Sequence, residues 1–180
     1  QMKATGEVMA IDRSFCGALL KAVRSLEIGI DCLSSPGMSD WSDEEVFRRV
    51  EIADDRRLFV MAEALRRGMS VQEICEKTRI DAWFIHQLDR IVKLEEELRA
   101  VGDLASLGAL LRRAKETGIS DRRIGELVGA SAEEVRNERK DRDITPVFNM
   151  VDTCAAEFDA VSPYYYSTYG TVDEVRPSTR

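Results

Sequence analysis

One stretch of this 180-residue chain recurs at a distance of fifty positions. Gly68-Met69-Ser70 returns as Gly118-Ile119-Ser120, Ile74 as Ile124, Glu76 as Glu126, Asp81 as Ser131 and Ile85 as Val135. Each copy reads as a short helix, a tight turn and a second helix with its own N-cap, Ser70 then Asp81 and Ser120 then Ser131. A longer helix precedes each copy, Asp54 to Arg67 in the first and Asp103 to Thr117 in the second. A duplicated helical unit is the strongest constraint on what the chain can become.

The remaining segments keep the same spacing, because only 4 prolines and 11 glycines interrupt them. Ser14 to Ile28 predicts a helix capped by Ser14 and closed by Gly29, with Phe15, Leu19, Val23 and Leu26 on its apolar face. Cys32 to Asp43 holds Ser34, Ser35, Pro36, Gly37, Ser39 and Asp40, a loop and a candidate boundary. Ser42 and Glu45 have the spacing of a capping box for a short helix to Val50. Leu58, Met61, Ala62 and Leu65 form the stripe of the next helix, which Gly68 ends. The helix from Asp81 is long, with Trp83 and Phe84 expected in the core and Glu95-Glu96-Glu97 on a solvated face. The helix from Ala132 stops by Arg142, ahead of Pro146, which disfavours helix at Thr145. Alternating β-branched runs are scarce, so the expected fold is all-α: a multi-helix domain with two helix-turn-helix-like repeats and extended N- and C-terminal connecting segments.

Composition removes several functions. With 44% hydrophobic residues the chain is neither a disordered tail nor a membrane protein, and it has no apolar run of about 18 residues. Its net charge of -7 suits the phosphate backbone of nucleic acid poorly. Cys16, Cys32, Cys75 and Cys154 are far apart and never in CxxC spacing, which favours reduced thiols in a cytoplasmic protein over a zinc site. The glycines form no phosphate-binding signature. The chain opens on Gln1 and reads as a piece of something longer.

Two local patterns suggest chemistry and are outweighed. Ser120 to Lys140 has the skeleton of a helix-turn-helix DNA reader, with Arg136, Asn137, Arg139 and Lys140 on its second helix. Glu133, Glu134 and Glu138 share that helix, and Arg112 to Arg142 carries nine basic against seven acidic side chains. His86, the one histidine, has Asp89 three positions on but no nucleophile motif, and Cys154 reads as a small buried apolar residue. Glu95, Glu96 and Glu97 point about 100° apart in succession and cannot converge on one Mg²⁺. No catalytic, cofactor-binding or metal residue is therefore assigned. Tyr164, Tyr165, Tyr166 and Tyr169 fall within six positions, and with Phe158 they are the candidate interface residues, a strap for another domain or subunit.

The terminal motifs carry a resemblance. Gln1-Met2-Lys3-Ala4-Thr5-Gly6-Glu7-Val8-Met9-Ala10-Ile11, then Arg13-Ser14-Phe15 and Ala22-Val23-Arg24-Ser25-Leu26-Glu27, resemble the end of the first ATP-grasp half of the carbamoyl-phosphate synthase large subunit. Ile80-Asp81-Ala82-Trp83-Phe84 and Arg90-Ile91-Val92-Lys93-Leu94-Glu95-Glu96 are similar to that family's helical middle. Val151-Asp152-Thr153-Cys154-Ala155-Ala156-Glu157-Phe158 through Tyr164-Tyr165-Tyr166-Ser167-Thr168-Tyr169 resemble its connection into the second half. The resemblance implies residues 1–30 as the end of the first half, 31–145 as a helical oligomerization domain and 146–180 as the connector. It implies a parent ligase making carbamoyl phosphate from bicarbonate, glutamine-derived ammonia and two ATP with Mg (or Mn), for arginine and pyrimidine biosynthesis. The implied partners are the other domains of the same subunit, further copies and a small glutamine amidotransferase subunit, with no nucleic acid and no membrane. The piece itself is expected to be inactive and to hold no cofactor, and the alternative is a helix-turn-helix DNA-binding protein. Asp12 stands where the family usually has Gly, so an earlier helix start on an acidic cap is expected there. Ends cut from their partners are expected to make few long-range contacts.

Overall fold

The computed structural model describes residues 7–154, 157–158 and 163–175. Eight α-helices are present among them: α1 Phe15–Ser25, α2 Asp43–Arg49, α3 Arg57–Arg66, α4 Val71–Thr78, α5 Ala82–Val101, α6 Ala109–Thr117, α7 Asp121–Val128 and α8 Ala132–Asp141. Short 3-10 turns, Met38–Asp40 and Ala105–Leu107, precede α2 and α6. A two-stranded antiparallel ribbon, β1 Val147–Met150 and β2 Tyr165–Thr168, follows the helices. The fold is the expected helical one, with a small sheet where an extended connector was predicted.

The longest helix organises the rest. At 20 residues α5 spans roughly 30 Å. It meets α1, α3, α4, α6 and α7, so its buried residues exceed one stripe: Ile85, Leu88, Ile91, Val92, Leu94, Glu95 and Leu98. One apolar cluster runs from Cys16 and Leu20 of α1 through Ile74 and Ile85 to Ile124 and Val135.

The fifty-residue repeat is a repeat of geometry. Gly68 and Gly118 both have positive φ, 89° and 98°. The following amides reach back identically, Met69 N to Ala64 O at 2.9 Å and Ile119 N to Ala114 O at 3.0 Å. Ser70 and Ser120 then cap α4 and α7, and Asp81 and Ser131 cap α5 and α8. The turns inside each pair again coincide, Arg79 at φ 60° against Gly129 at φ 74°. Gly125 is fixed by contact: a Cβ there would lie 2.4 Å from Ala130 O.

Local expectations fail in instructive places. α1 ends at Ser25, with Glu27 at φ 54°, and it buries Cys16, Gly17, Leu20 and Val23 in place of Phe15, Leu19 and Leu26. The buried face is rotated by one residue because α5 and α6 both press on it. Ser42 accepts from Glu45 N, but the Glu45 carboxylate turns to Arg48 and Arg49, so that capping box is half made. α3 buries Phe59, Val60, Met61, Ala62 and Ala64, while Leu58 and Leu65 are half-buried. The predicted helix from Asp103 is broken at Gly108, φ 51°. Asp12 does not start α1 early. Ser14 stays the cap, accepting from Gly17 N at 3.0 Å.

The described parts of the end segments make long-range contacts, contrary to the expectation of few. Arg24 donates to Gly118 O at 2.9 Å and Lys21 to Ser167 O at 2.5 Å, so α1 and β2 are both tied to the helical body. Gly125→Ala is expected to lower stability to urea by about 1–3 kcal/mol through overpacking. The loss outweighs the ~1 kcal/mol by which Ala outranks Gly in a helix.

Candidate contact surfaces and a buried ion-pair centre

Glu95 is the most buried charged side chain among the described residues, at 1% exposure. Arg66 of α3 meets its Oε2 at 2.9 Å, while Arg123 of α7 meets Oε1 at 2.8 Å and Oε2 at 3.2 Å. The same guanidinium groups reach on to the loop before α2, Arg66 to Leu33 O at 3.0 Å and Arg123 to Ser34 Oγ at 2.8 Å. Burial pushes the Glu95 carboxyl upward. The hydrogen bonds and charge of Arg123, with Arg66, overcome this and leave it below the ordinary carboxylate range. The adjacent Cys32 thiol is pushed up, first by burial and then by Glu95. The expected solvated run is thus corrected: Glu96 and Glu97 are exposed, and Glu95 is the anchor of the interior. The loop it holds is no loose linker, since Cys32, Leu33 and Met38 are buried.

A second polar cluster joins α6, α7, α8 and the chain after β2. Buried Lys115 donates to Ile119 O at 2.7 Å and lies 2.7 Å from Asp121 Oδ1. The two opposite charges form an ion pair in the interior. Arg139 donates from Nε to Asp121 at 2.8 Å and from Nη1 to Ile144 O at 3.2 Å. The Tyr169 ring lies 5.0 Å from Lys115 Nζ and 5.7 Å from Arg139 Cζ. Burial lowers the Lys115 pKa against the pull of Asp121, and burial raises the Tyr169 phenol.

The structure separates the candidate interface residues. Phe158, Tyr164 and Tyr165 lie exposed, at 76%, 67% and 48%. Tyr166 is half-buried under Lys21, whose Nζ is 5.5 Å from its ring. Tyr169 turns into the polar cluster just described. Residues 155–156 and 159–162 of that strap lie outside the described residues.

One aromatic surface was placed wrongly from sequence. Trp83 and Phe84 were expected in the core, yet they are 52% and 45% exposed. With Phe15 they form an edge-to-face cluster, with centroids 5.1 to 5.5 Å apart. Their adjacency was the available signal, since neighbours in the first turn after Asp81 diverge by about 100° and cannot both face inward.

The DNA-reader pattern loses one of its four residues to the interior. Arg139 is buried on Asp121, and the exposed remainder of α8 alternates Arg136 and Lys140 with Glu133 and Glu134. His86 is exposed, and Cys154, expected buried, is half-buried. Among the described residues no group of three or more His, Cys, Asp or Glu is placed to hold a metal ion. No helix among them is long and apolar enough to cross a membrane.

Helices locked by interior ion pairs, with aromatic rings left on the outside, define a helical interaction domain. Residues 7–143 match the family described as the carbamoyl-phosphate synthetase large chain, oligomerisation domain, and the chain belongs to that family. It is 49% identical over 175 residues to the carbamoyl phosphate synthase large chain of Thermoanaerobacter sp. (strain X514), covering 97% of this chain and 16% of that protein. The large chain of Methanothrix thermoacetophila is 48% identical over 177 residues, with 98% and 16% covered. The chain thus spans about a sixth of the length of these relatives.

Glu95→Ala is expected to destabilise the domain by about 3–5 kcal/mol in urea unfolding, because two arginines are left buried without their carboxylate. The lowered pKa adds a pH signature. A carboxyl depressed in the folded state stabilises above its unfolded pKa, about 4.3, and that contribution is lost as pH falls through the folded value. Stability should therefore fall more steeply below about pH 4 in the parent chain than in Glu95→Ala.

Proposed function

We propose that this chain is the structural association segment of a longer carbamoyl phosphate synthase large chain and performs no catalytic step of its own. The match of residues 7–143 to an oligomerisation domain carries the reading. On it, the parent is a cytoplasmic ATP-dependent ligase forming carbamoyl phosphate from bicarbonate, glutamine-derived ammonia and two ATP, in arginine and pyrimidine biosynthesis. Residues 1–30 complete its first synthetase half, 31–145 form the association domain and 146–180 lead toward the second half. The parent complex includes a small glutamine amidotransferase subunit, and this segment contacts the other domains of its own chain and further copies.

ATP and Mg (or Mn) belong to that parent. The residues here do not fit them. Of the three consecutive glutamates, Glu95 is consumed by two arginines and Glu97 by Arg113, and Arg123 spends its donors on Glu95, Glu126 and Ser34.

What the segment offers is surface. Phe15, Trp83 and Phe84 on one side and Tyr164, Tyr165 and Phe158 on the connector present aromatic rings of the kind enriched at protein contacts. Sedimentation across concentration tests the association. A rise in mass from monomer to dimer over the micromolar range is expected, and a strict monomer at the highest soluble concentration would leave only an intramolecular spacer. Supplied with ATP and bicarbonate, the isolated chain should release no phosphate above the buffer rate. Steady phosphate release abolished by a point substitution would end the non-catalytic reading.

A further inference from the structure

Asp12 and Lys21 stand where two distant stretches of chain meet. Residues 7–13 reach α1 without regular structure, and β2 arrives beside them from 156 positions further along. Lys21 Nζ pairs with Asp12 Oδ2 at 2.6 Å, donates to Ile11 O at 2.9 Å and to Ser167 O at 2.5 Å, and faces the Tyr166 ring. Asp12 Oδ1 accepts from Ser14 N at 3.3 Å and from Thr168 Oγ1 at 3.4 Å. The Asp12 side chain is 6% exposed, so Lys21 neutralises a nearly buried carboxylate while spending its other donors on backbone from both ends of the chain.

The backbone around this pair is shaped for it. A Cβ at Gly17 would sit 2.7 Å from Asp12 Cγ and Oδ1, so glycine leaves the space the carboxylate fills. From the other side, a Cβ on Gly118 would come within 2.9 Å of Gly17 Cα. One turn of α1 therefore seats against the α6–α7 turn while admitting Asp12. Neither the ion-pair centre nor the exposed rings require this arrangement.

We propose that Asp12 and Lys21 form a latch that clamps the β-ribbon onto the N-terminal segment and fixes the directions in which the two ends leave the helical body. Both are positioning residues. Lys21 makes the bridge and Asp12 acts through it, by setting the ammonium between Ile11 O and Ser167 O. Tyr169, whose ring lies over Lys115 and Arg139, is a second anchor just beyond β2, so opening the latch loosens the ribbon from the N-terminal segment while the chain after β2 stays held to the helices. If the segment joins two catalytic parts, as proposed above, the latch sets the angle between them. That consequence rests on the proposed function, whereas the latch itself is testable on this chain alone.

Hydrogen exchange followed by mass spectrometry on the chain and on Lys21→Met, Asp12→Asn and the double variant tests it. In Lys21→Met the amides of 147–150 and 165–168 should exchange about tenfold faster, while those of α5 and α7 stay within about twofold of the parent chain. Asp12→Asn should accelerate the same amides, and the double variant should match Lys21→Met. Unchanged ribbon protection in both single variants would overturn the latch, as would equal acceleration in α5, α7 and the ribbon. If Lys21→Met does not fold, the nearly isosteric Asp12→Asn decides by the same ratio of ribbon to helix exchange. A strictly monomeric chain would defeat association and leave this exchange pattern unaffected, so the two failures are distinguishable.

Discussion

A carboxylate with almost no solvent, set between two arginines from different helices, is the constraint around which the domain is arranged. Glu95 takes Arg66 from α3 and Arg123 from α7, and both arginines continue to the loop at Leu33 and Ser34. Burying such a group is costly, and apolar packing of equal volume often serves stability as well. What the carboxylate adds is direction. An apolar contact between α3, α5 and α7 would tolerate sliding, whereas three hydrogen bonds to one carboxylate at 2.8 to 3.2 Å do not. The loop before α2 inherits that fixed position, which is why Cys32, Leu33 and Met38 pack as core residues within a serine-rich stretch.

The two copies of the repeat share backbone and differ in what they bury. Ala64 with Met69 and Ala114 with Ile119 make the same turn, and Ile74 and Ile124 are both fully buried. Leu65 and Val71 of the first copy, half-buried against the core, correspond to Lys115 and Asp121 in the second. One copy closes with hydrocarbon and the other with an ion pair, on the same path of the chain.

Much of this was legible in the sequence where the cause is local. Ser70, Asp81, Ser120 and Ser131 are caps because a side-chain oxygen satisfies helical amides, and that requirement shows in a few residues. Gly68 and Gly118 announce their turns because φ of 89° and 98° suits a residue without a side chain. Long-range causes were not legible. Glu95 reads as solvated beside Glu96 and Glu97 until Arg66 and Arg123, 29 and 28 positions away, are known to reach it. Trp83 and Phe84 look like core until α5 is seen to be surrounded on its other faces. The ribbon was missed because Val147–Met150 and Tyr165–Thr168 acquire strand geometry from each other across an interval that periodicity cannot read. Of the candidate contact residues, Phe158, Tyr164 and Tyr165 are exposed, whereas Tyr169 lies against Lys115 and Arg139, which belong to other elements and are invisible from its own stretch of sequence.

The difference between the copies also explains why the chain's end settles on the second. Tyr169 requires a site that is apolar toward its ring and positively charged at its face. The position of Lys115 is leucine in the first copy, and that of Arg139 is Asp89, already paired with Lys93. Only the second copy therefore offers two cations, both held in place by Asp121, beneath an aromatic ring. With Tyr169 seated there, β2 runs past the start of α1, where Lys21 takes Ser167 O and Asp12 takes Thr168. Divergence between the copies at these three positions thus provides the seat that brings β2 beside the segment before α1.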